Sequence, residues 1–349
     1  MEHIAIDLGG RESQICVRND KGEILEEKRH LTSRLGPYLA KREPGARVLL
    51  ESSAEAFAVA DLARHHGHQP HVVPASLVRA LGVGDRGLKN DKRDARKLSE
   101  MDCRMEVPSI HIPSAASRDR QARVTARQAL VGVRTKLVNT VRSFFRTMAQ
   151  PPVKATPNTL AKNVREQLLK SPEGVPDYIE MLLATLETLN GQIDRADEAL
   201  KELAREDPVC KLLQTMPGIG PVTSICFASA IDEVGRFESA SKLTSYLGLT
   251  PGEDTTGFKT KRTSMTKAGS GRTRWTLNQA AWTLVRTRPD DPLVQWFQSV
   301  AGRRGRKIAI CALGRKMAGV LYAMWRDQQP YNPKHEAKKA MTAPKLLTA

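Results

Sequence analysis

Short apolar runs alternate with helical patterns over the first 110 residues. Residues 3–7 and 14–18 are β-rich and flank a turn at Gly9-Gly10, and residues 23–30 suit a third strand. Two further buried strands are predicted at 47–50 and 70–73, with helices over about 54–65 and 89–105. Strands that come first as a meander and then alternate with helices predict an α/β domain with a mixed sheet, spanning residues 1–112.

A long basic helix is predicted from Ser114 to about Ala149, where Pro151-Pro152 would end it. Its basic side chains face a single acid, Asp119. They are Arg118, Arg120, Arg123, Arg127, Arg134, Lys136, Arg142 and Arg146.

The next helix carries apolar residues spaced alternately by three and four, the pattern of a coiled-coil seam. An intrachain hairpin with the basic helix and a coiled coil between chains both fit this spacing, and both stay open. The two helices form a predicted connector over residues 113–206. The seam comprises Ile179, Leu182, Leu186, Leu189, Ile193, Ala196, Leu200 and Leu203.

A second, mainly α-helical domain is predicted over residues 207–330, before a flexible tail at 331–349. It opens with a Pro-Gly-Ile-Gly-Pro turn that precedes an apolar helix. This turn resembles the hairpin of helix–hairpin–helix proteins, in which backbone amides such as those of Gly218 and Gly220 would face a phosphate. Glycine turns before helices are common, so the turn alone is weak evidence.

Charge distinguishes this chain from an ordinary globular protein. Lys and Arg number 55 against 38 Asp and Glu, a net charge of +17 that favours polyanionic partners such as nucleic acids. A solvated basic surface is the alternative. Aromatic residues are only 5% of the chain, so stacking of single-stranded bases is not indicated and phosphate contacts are expected to dominate. Residues 257–274 contain no acid and six cations, namely Lys259, Lys261, Arg262, Lys267, Arg272 and Arg274.

Other site classes find little support in the sequence. The five cysteines are far apart and read as reduced thiols, and the cluster His65, His66, His68 and His71 suits a solvated loop better than a metal site. No run approaches the roughly 20 apolar residues of a membrane helix, and the N-terminus has no signal-peptide layout. A cytoplasmic, nucleoid-associated protein is expected.

Four carboxylates are candidates for catalysis. Asp7 ends the first strand, Glu51 ends a later buried strand, and Asp91 and Asp94 share one face of a helix. Converging carboxylates repel one another without a cation, and Mg²⁺ prefers such hard oxygen ligands and bridges to phosphate. Alternatively, Asp7 caps a turn and Asp91 and Asp94 begin a helix. Glu51 is harder to explain in that way, because charged groups rarely follow a buried strand unpaired.

The motifs IDLGG, LLES and KNDKRDA, in this order, resemble the DEDD motif of the bacterial insertion-sequence 110/1111 transposases. That family also includes the pilin-gene invertases. The blocks MPGIGPVTSICFASAI, SKLTSYLGLTP, TTG and MTKAGSGRTRW are similar to its C-terminal domain, so the resemblance runs from about Ile4 to Trp325. It implies a ribonuclease-H-like, RuvC-like N-terminal domain with Mg²⁺ at the four acids.

The resemblance also implies a DNA recombinase whose serine hydroxyl attacks DNA and becomes linked to it. The matching residue here is Thr256, whose β-methyl group restricts χ1 and narrows the approach. An inactive copy, or use of Thr255 or Ser264 instead, stays open. The family further implies double-stranded DNA as substrate, a bridge RNA as guide, and a homo-oligomer, either a dimer or a tetramer.

Two rival functions remain. A structure-specific endonuclease of the Holliday-resolvase type would use the carboxylates alone and form no protein–DNA adduct. A non-catalytic nucleic-acid-binding protein descended from a transposase would bind tightly, with strong salt dependence and no metal-dependent product.

Overall fold

The computed structural model describes residues 1–80, 91–105, 107–170, 174–256 and 259–334. Contacts divide the chain into two compact units, Met1–Pro113 and Ser114–Ala349. The first unit ends one residue after the boundary predicted at 112.

A five-stranded mixed sheet forms the centre of the N-terminal unit, as the sequence predicts. The strand order is β3-β2-β1-β4-β5, with β2 antiparallel to β1 and β3, and with β4 parallel to β1 and β5. The central strand β1 therefore lies between the meander and the parallel half. The strands are β1 His3–Asp7, β2 Glu12–Arg18, β3 Ile24–Leu31, β4 Arg47–Glu51 and β5 Gln69–Val73.

Helices cover both faces of this sheet, and the alternation of side chains along each strand provides two cores. Ile4, Ile6 and Leu50 belong to a buried cluster with residues of the first two helices. Ala5 and Leu49 point the other way and belong to a cluster with Leu98 of the fourth helix. The helices are α1 Leu35–Leu39, α2 Ala56–His65, α3 Ala75–Ala80 and α4 Asp91–Arg104.

The C-terminal unit is mostly helical, and its largest core joins the helices that follow residue 200. A two-stranded antiparallel hairpin, β6 Pro251–Thr256 and β7 Lys259–Met265, interrupts the helices. This hairpin was not predicted from the sequence. The helices are α5 Ala115–Thr147, α6 Leu160–Leu168, α7 Asp177–Glu206, α8 Pro208–Leu213, α9 Pro221–Ile231, α10 Ala240–Tyr246, α11 Gly271–Thr287, α12 Pro292–Arg304 and α13 Arg306–Asp327.

Helices α5 and α7 pair antiparallel within the chain. Arg127 Nε lies 2.7 Å from Asp197 Oδ1 near the middle of the pair. Arg120 binds Asp207 at one end, and the rings of Phe144 and Tyr178 lie 5.4 Å apart at the other. The structure therefore contains the intrachain hairpin, one of the two predicted alternatives.

The buried residues of α7 match most of the predicted seam. Leu183 is buried in place of Leu182, and Ala196 and Leu203 are only partly buried. The seam thus curves slightly around α7, since 3.6 residues per turn do not match a seven-residue repeat. Its buried members are Ile179, Leu183, Leu186, Leu189, Ile193, Leu200 and Ala204.

Shortening one seam residue tests this packing. Leu186 is fully buried, so Leu186→Ala should lower the free energy of unfolding by about 2–5 kcal/mol. Met181 lies on the same helix but is 66% exposed, so Met181→Ala should change it by about 0.5 kcal/mol or less. Urea unfolding of the full chain measures both, and equal losses would contradict the seam assignment.

Helix α13 departs from one sequence expectation. It is long and apolar enough, by composition, to cross a membrane, although no such run was expected. In the structure 56% of its most apolar window is buried, and Leu313, Met317 and Leu321 lie in the largest core. The central helix of a folded domain needs the same apolar composition, because it is surrounded by other helices.

Candidate functional site

The candidate site in the N-terminal unit begins at the ends of two adjacent parallel strands. Ile6 of β1 pairs with Leu50 of β4, so Asp7 and Glu51 follow at neighbouring positions. Each is two residues after a residue that packs toward α4, Ala5 or Leu49, so both lie on the α4 face of the sheet, and both are partly exposed. A tight turn follows Asp7, in which a Cβ on Gly9 would lie 2.2 Å from the Glu12 carbonyl oxygen. This close contact explains why the first glycine of the IDLGG motif cannot be replaced by a residue with a side chain without a shift of the backbone.

Helix α4 runs antiparallel to β1 across this face. Near its C-terminal end, Asp102 binds His3 Nδ1 at 2.6 Å and Arg47 at 2.7 Å, and those residues begin β1 and β4. One turn earlier, the Ser99 hydroxyl lies 3.2 Å from Cys16 Sγ on β2. The N-terminal end of α4 therefore lies toward the other ends of the strands, where Asp7 and Glu51 are.

Helix geometry sets the level of Asp94. It is eight residues before Asp102, about 12 Å along the helix, and β1 rises by about 13 Å from His3 to Asp7. Asp94 thus lies near the level of Asp7 and is partly exposed. Asp91 is the first residue of α4, and its side chain lies outside the described part of the structure.

The described side chains contain no group of three or more His, Cys, Asp or Glu close enough to hold a metal ion. Asp7, Glu51 and Asp94 are among those side chains. The three therefore do not form a closed metal site, and the fourth carboxylate, that of Asp91, is outside the described part. The donor chemistry nevertheless fits a hard divalent cation, because partly exposed carboxylate oxygens at one sheet edge are the ligands such ions prefer.

Sequence reasoning missed Asp102, the residue that fixes α4 on the sheet. Its carboxylate is completely buried and binds both His3 and Arg47. A buried charge is stable only when it is paired and hydrogen-bonded, and these two partners meet that need. The signal was a third acid on the same helix face, eleven residues after Asp91.

In the C-terminal unit, Thr256 is the last residue of β6 and pairs in register with Lys259 of β7. Gly257, the glycine that follows it, lies outside the described residues, as do the side chains of Thr255 and Thr256. The candidate residue is therefore the last of β6, with a cationic residue at the opposite register position.

The register of the hairpin also shows which residues lie opposite the cations of residues 257–274. Glu253 pairs with Arg262, and Asp254 pairs with Lys261. Residues 257–274 contain no acid in sequence, yet the partner strand places two acids across from two of the cations. The register alone therefore places acids opposite two of the cations that the sequence shows as an acid-free run.

Two arginines of the segment have partners within the chain. Arg274 Nη1 donates to the carbonyl oxygens of Leu247 at 3.0 Å and Gly269 at 2.6 Å. Arg272 binds Thr125 on α5. Lys267 is exposed, and the side chains of Lys259, Lys261 and Arg262 lie outside the described residues. Several arginines of the long basic helix α5 also bind groups of the same unit. They are Arg120, Arg123, Arg127, Arg134 and Arg142.

The predicted phosphate-binding turn packs closely on α11. Gly218 has φ +87°, and a Cβ there would lie 2.6 Å from the Ala280 carbonyl oxygen. This close approach by itself explains glycine at position 218. Gly220 is the N-cap of α9 and has extended backbone. Phosphate binding by these amides remains a prediction.

The histidines and cysteines form no metal site among the described residues. His68, expected in a solvated loop, is instead buried, with Nε2 3.0 Å from the Leu39 carbonyl oxygen. The cysteines are unpaired thiols, as predicted. Burial raises the pKa of the Cys210 thiol to about 12, so it stays protonated and unreactive at neutral pH.

Two family models match the chain. One, a transposase model of the DEDD type named for IS110, matches residues 4–149. The other, described as the transposase IS116/IS110/IS902 family, matches residues 210–294. The first match contains both strand-end carboxylates and α4, and the second contains the Gly218 turn and the β6–β7 hairpin.

Curated relatives align over almost the whole chain. The transposase for insertion sequence element IS1328 of Yersinia enterocolitica is 27% identical, covering 92% of this chain and 96% of the relative. A probable family 20 transposase of Pseudomonas aeruginosa is 26% identical, covering 95% and 99%. The transposase for insertion sequence element IS1111A of Coxiella burnetii is 24% identical, covering 94% and 90%.

The first matched region covers almost all of the N-terminal unit and continues through α5, the second lies within the C-terminal unit, and the relatives align nearly end to end. The chain belongs to the IS110/IS116/IS902 family of insertion-sequence transposases, whose members cleave and rejoin DNA with a DEDD domain that implies a divalent metal.

Proposed function

We propose that this transposase cuts and rejoins DNA with Mg²⁺ held by Asp7, Glu51, Asp91 and Asp94 in a ribonuclease-H-like domain. The observation that carries the proposal is the shared edge. Asp7 and Glu51 end adjacent parallel strands, and α4 runs so that its N-terminal end, which begins with Asp91, lies toward the same edge. When bound, the metal would stabilise charge on the phosphodiester as a Lewis acid.

The second part of the proposal is covalent catalysis by Thr256. Its Oγ attacks the phosphorus of a DNA phosphodiester, the bond to one deoxyribose oxygen breaks, and that oxygen leaves with a proton. The phosphothreonine ester keeps the bond energy until a hydroxyl of another strand attacks and releases Thr256. Lys259, opposite Thr256 in the register, supports the proposal because a cation there would favour an anionic phosphate.

The remaining proposals concern partners. Double-stranded DNA would bind through Gly218, Gly220, Lys259, Lys261, Arg262, Lys267, Arg272 and Arg274. The intrachain partners of Arg272 and Arg274 make Lys267 and the β7 cations the stronger candidates. A structured bridge RNA as guide and assembly as a dimer or tetramer are proposed from the family resemblance.

A strand-exchange assay tests the function. The full chain is incubated with DNA carrying the element ends, a target duplex and the noncoding RNA flanking the gene, with Mg²⁺ or with a chelator. We expect joined products and a protein–DNA adduct with Mg²⁺, and neither with chelator, because the metal supplies the charge stabilisation.

The rival functions give different outcomes in the same assay. Cleaved DNA with no adduct would indicate the structure-specific endonuclease and exclude a Thr256 intermediate. Salt-sensitive binding with no metal-dependent product would indicate a non-catalytic binding protein. Products that form equally well without the RNA would contradict the proposal that an RNA guides the reaction.

A further inference from the structure

Helix α11 presents two tryptophans to solvent. Its buried side includes Leu277, Ala280 and Leu284. Its opposite side carries Trp275 and Trp282, which are 52% and 37% exposed. They are seven residues apart, which places them on one face about 10 Å from each other. Exposed apolar groups that share one face and have polar residues around them mark interaction sites.

The position of Trp282 is fixed by its neighbours. Its ring packs edge-on against the buried Phe297 of α12, with ring centroids 6.2 Å apart. The Arg306 guanidinium lies 5.6 Å from the Trp282 ring centroid. Gly305, with φ +81°, is the single residue between α12 and α13 and immediately precedes Arg306. The indole is therefore held in place before any ligand arrives.

The surroundings of these tryptophans are strongly cationic. From Gly271 to Asp327 the sequence contains eleven Arg and Lys and three acids, Asp290, Asp291 and Asp327. Asp291 caps α12 and accepts a hydrogen bond from the Tyr331 hydroxyl. Arg286 is exposed on the same side of α11 as the tryptophans, and Arg303 and Arg304 are exposed at the end of α12, three and two residues before Arg306.

We propose that these six residues, Trp275, Trp282, Arg286, Arg303, Arg304 and Arg306, form a tryptophan face that binds a single-stranded segment of nucleic acid. Unpaired bases stack on the indoles and on the Arg306 guanidinium, and the phosphates between them bind the other arginines. A continuous duplex fits less well, because its bases are already stacked and offer only edges and phosphates.

This inference extends the proposed function and does not depend on the metal site. It also revises the expectation drawn from the 5% aromatic content, because that figure does not show where the tryptophans are. Single-stranded RNA and single-stranded DNA share the chemistry that the face recognises. The same sequence in both forms distinguishes them, since only RNA has the 2′-hydroxyl.

The test measures binding of the full chain to labelled 20-nucleotide RNA and DNA of one sequence, their duplexes, and an abasic strand, all with chelator present. The variant Trp275→Ala/Trp282→Ala should bind single strands roughly 5- to 150-fold more weakly for each stacked base that is lost. The abasic strand should bind the wild type and this variant equally. Trp275→Phe/Trp282→Phe should restore most of the affinity, because phenylalanine also stacks.

Charge and tryptophan controls complete the test. Arg303→Gln/Arg304→Gln should reduce the slope of log affinity against log salt by roughly 0.7 for each lost phosphate contact. Trp296 is partly buried on α12, with the Lys316 ammonium 5.2 Å from its ring centroid, so Trp296→Phe should leave binding unchanged.

Two results would overturn the proposal. One is unchanged single-strand affinity in Trp275→Ala/Trp282→Ala. The other is a molar mass of Trp275→Ala/Trp282→Ala that is lower than that of the wild type, measured by light scattering without nucleic acid. That result would make the face a contact between copies of this chain. Because chelator prevents metal-dependent chemistry, loss of DNA cleavage in the strand-exchange assay would leave this result unaffected.

Discussion

Glu51→Gln and Asp7→Asn should each abolish metal-dependent DNA cleavage while the chain stays folded. The amides keep the shape of the side chains but remove the negative charge that a divalent cation requires. Lewis-acid stabilisation contributes several kcal/mol to the transition state, and about 1.4 kcal/mol is a tenfold change in rate. The expected loss is therefore on the order of a thousandfold or more, measured as the initial rate of cleavage with saturating Mg²⁺.

Helix α4 offers a matched control for the same chemistry. Asp94→Asn should reduce cleavage and Mn²⁺ binding, the latter measured by paramagnetic resonance. Glu100→Gln changes a carboxylate on the same helix that pairs with Arg104 at the surface, and it should do neither. If Glu51→Gln retained cleavage within about tenfold of the wild type, the metal would have to bind elsewhere.

Thr256→Ala should form no protein–DNA adduct and no joined product, because alanine lacks the hydroxyl that attacks the phosphodiester. Thr256→Ser should equal or exceed the wild type, since serine removes the β-methyl group that narrows the approach and restricts χ1. The adduct is measured on denaturing gels with labelled DNA. The order of yields is thus serine first, threonine next and alanine at background.

The adjacent threonine is the control for this series. Thr255→Ala removes a hydroxyl one position earlier on β6 and should keep the adduct. Recombination by Thr256→Ala at the wild-type rate would remove Thr256 from the mechanism. Ser264, which is exposed on β7, would then be the next hydroxyl to replace.

Local sequence was sufficient for most of the N-terminal unit. The predicted strands differ from the observed ones by at most two residues at either end, because alternation of apolar residues and glycine turns are local signals. Recognition of the family also came from sequence, through the order and spacing of its motifs. The β6–β7 hairpin was missed because its strands are polar and charged and lack the apolar alternation that predicts a strand, and their pairing appears only in the register.

Sequence patterns alone thus determined the mixed sheet, the long helices and the identity of the candidate acids and hydroxyl. The tertiary structure decided their surroundings. Asp102 sets the direction of α4 through His3, 99 residues away, and Asp197 pairs with Arg127 across 70 residues. The same holds for Trp275 and Trp282, whose exposure depends on which side of α11 packs on the core. Periodicity is a property of neighbouring residues, whereas burial, ion pairing and exposure depend on contacts between distant ones.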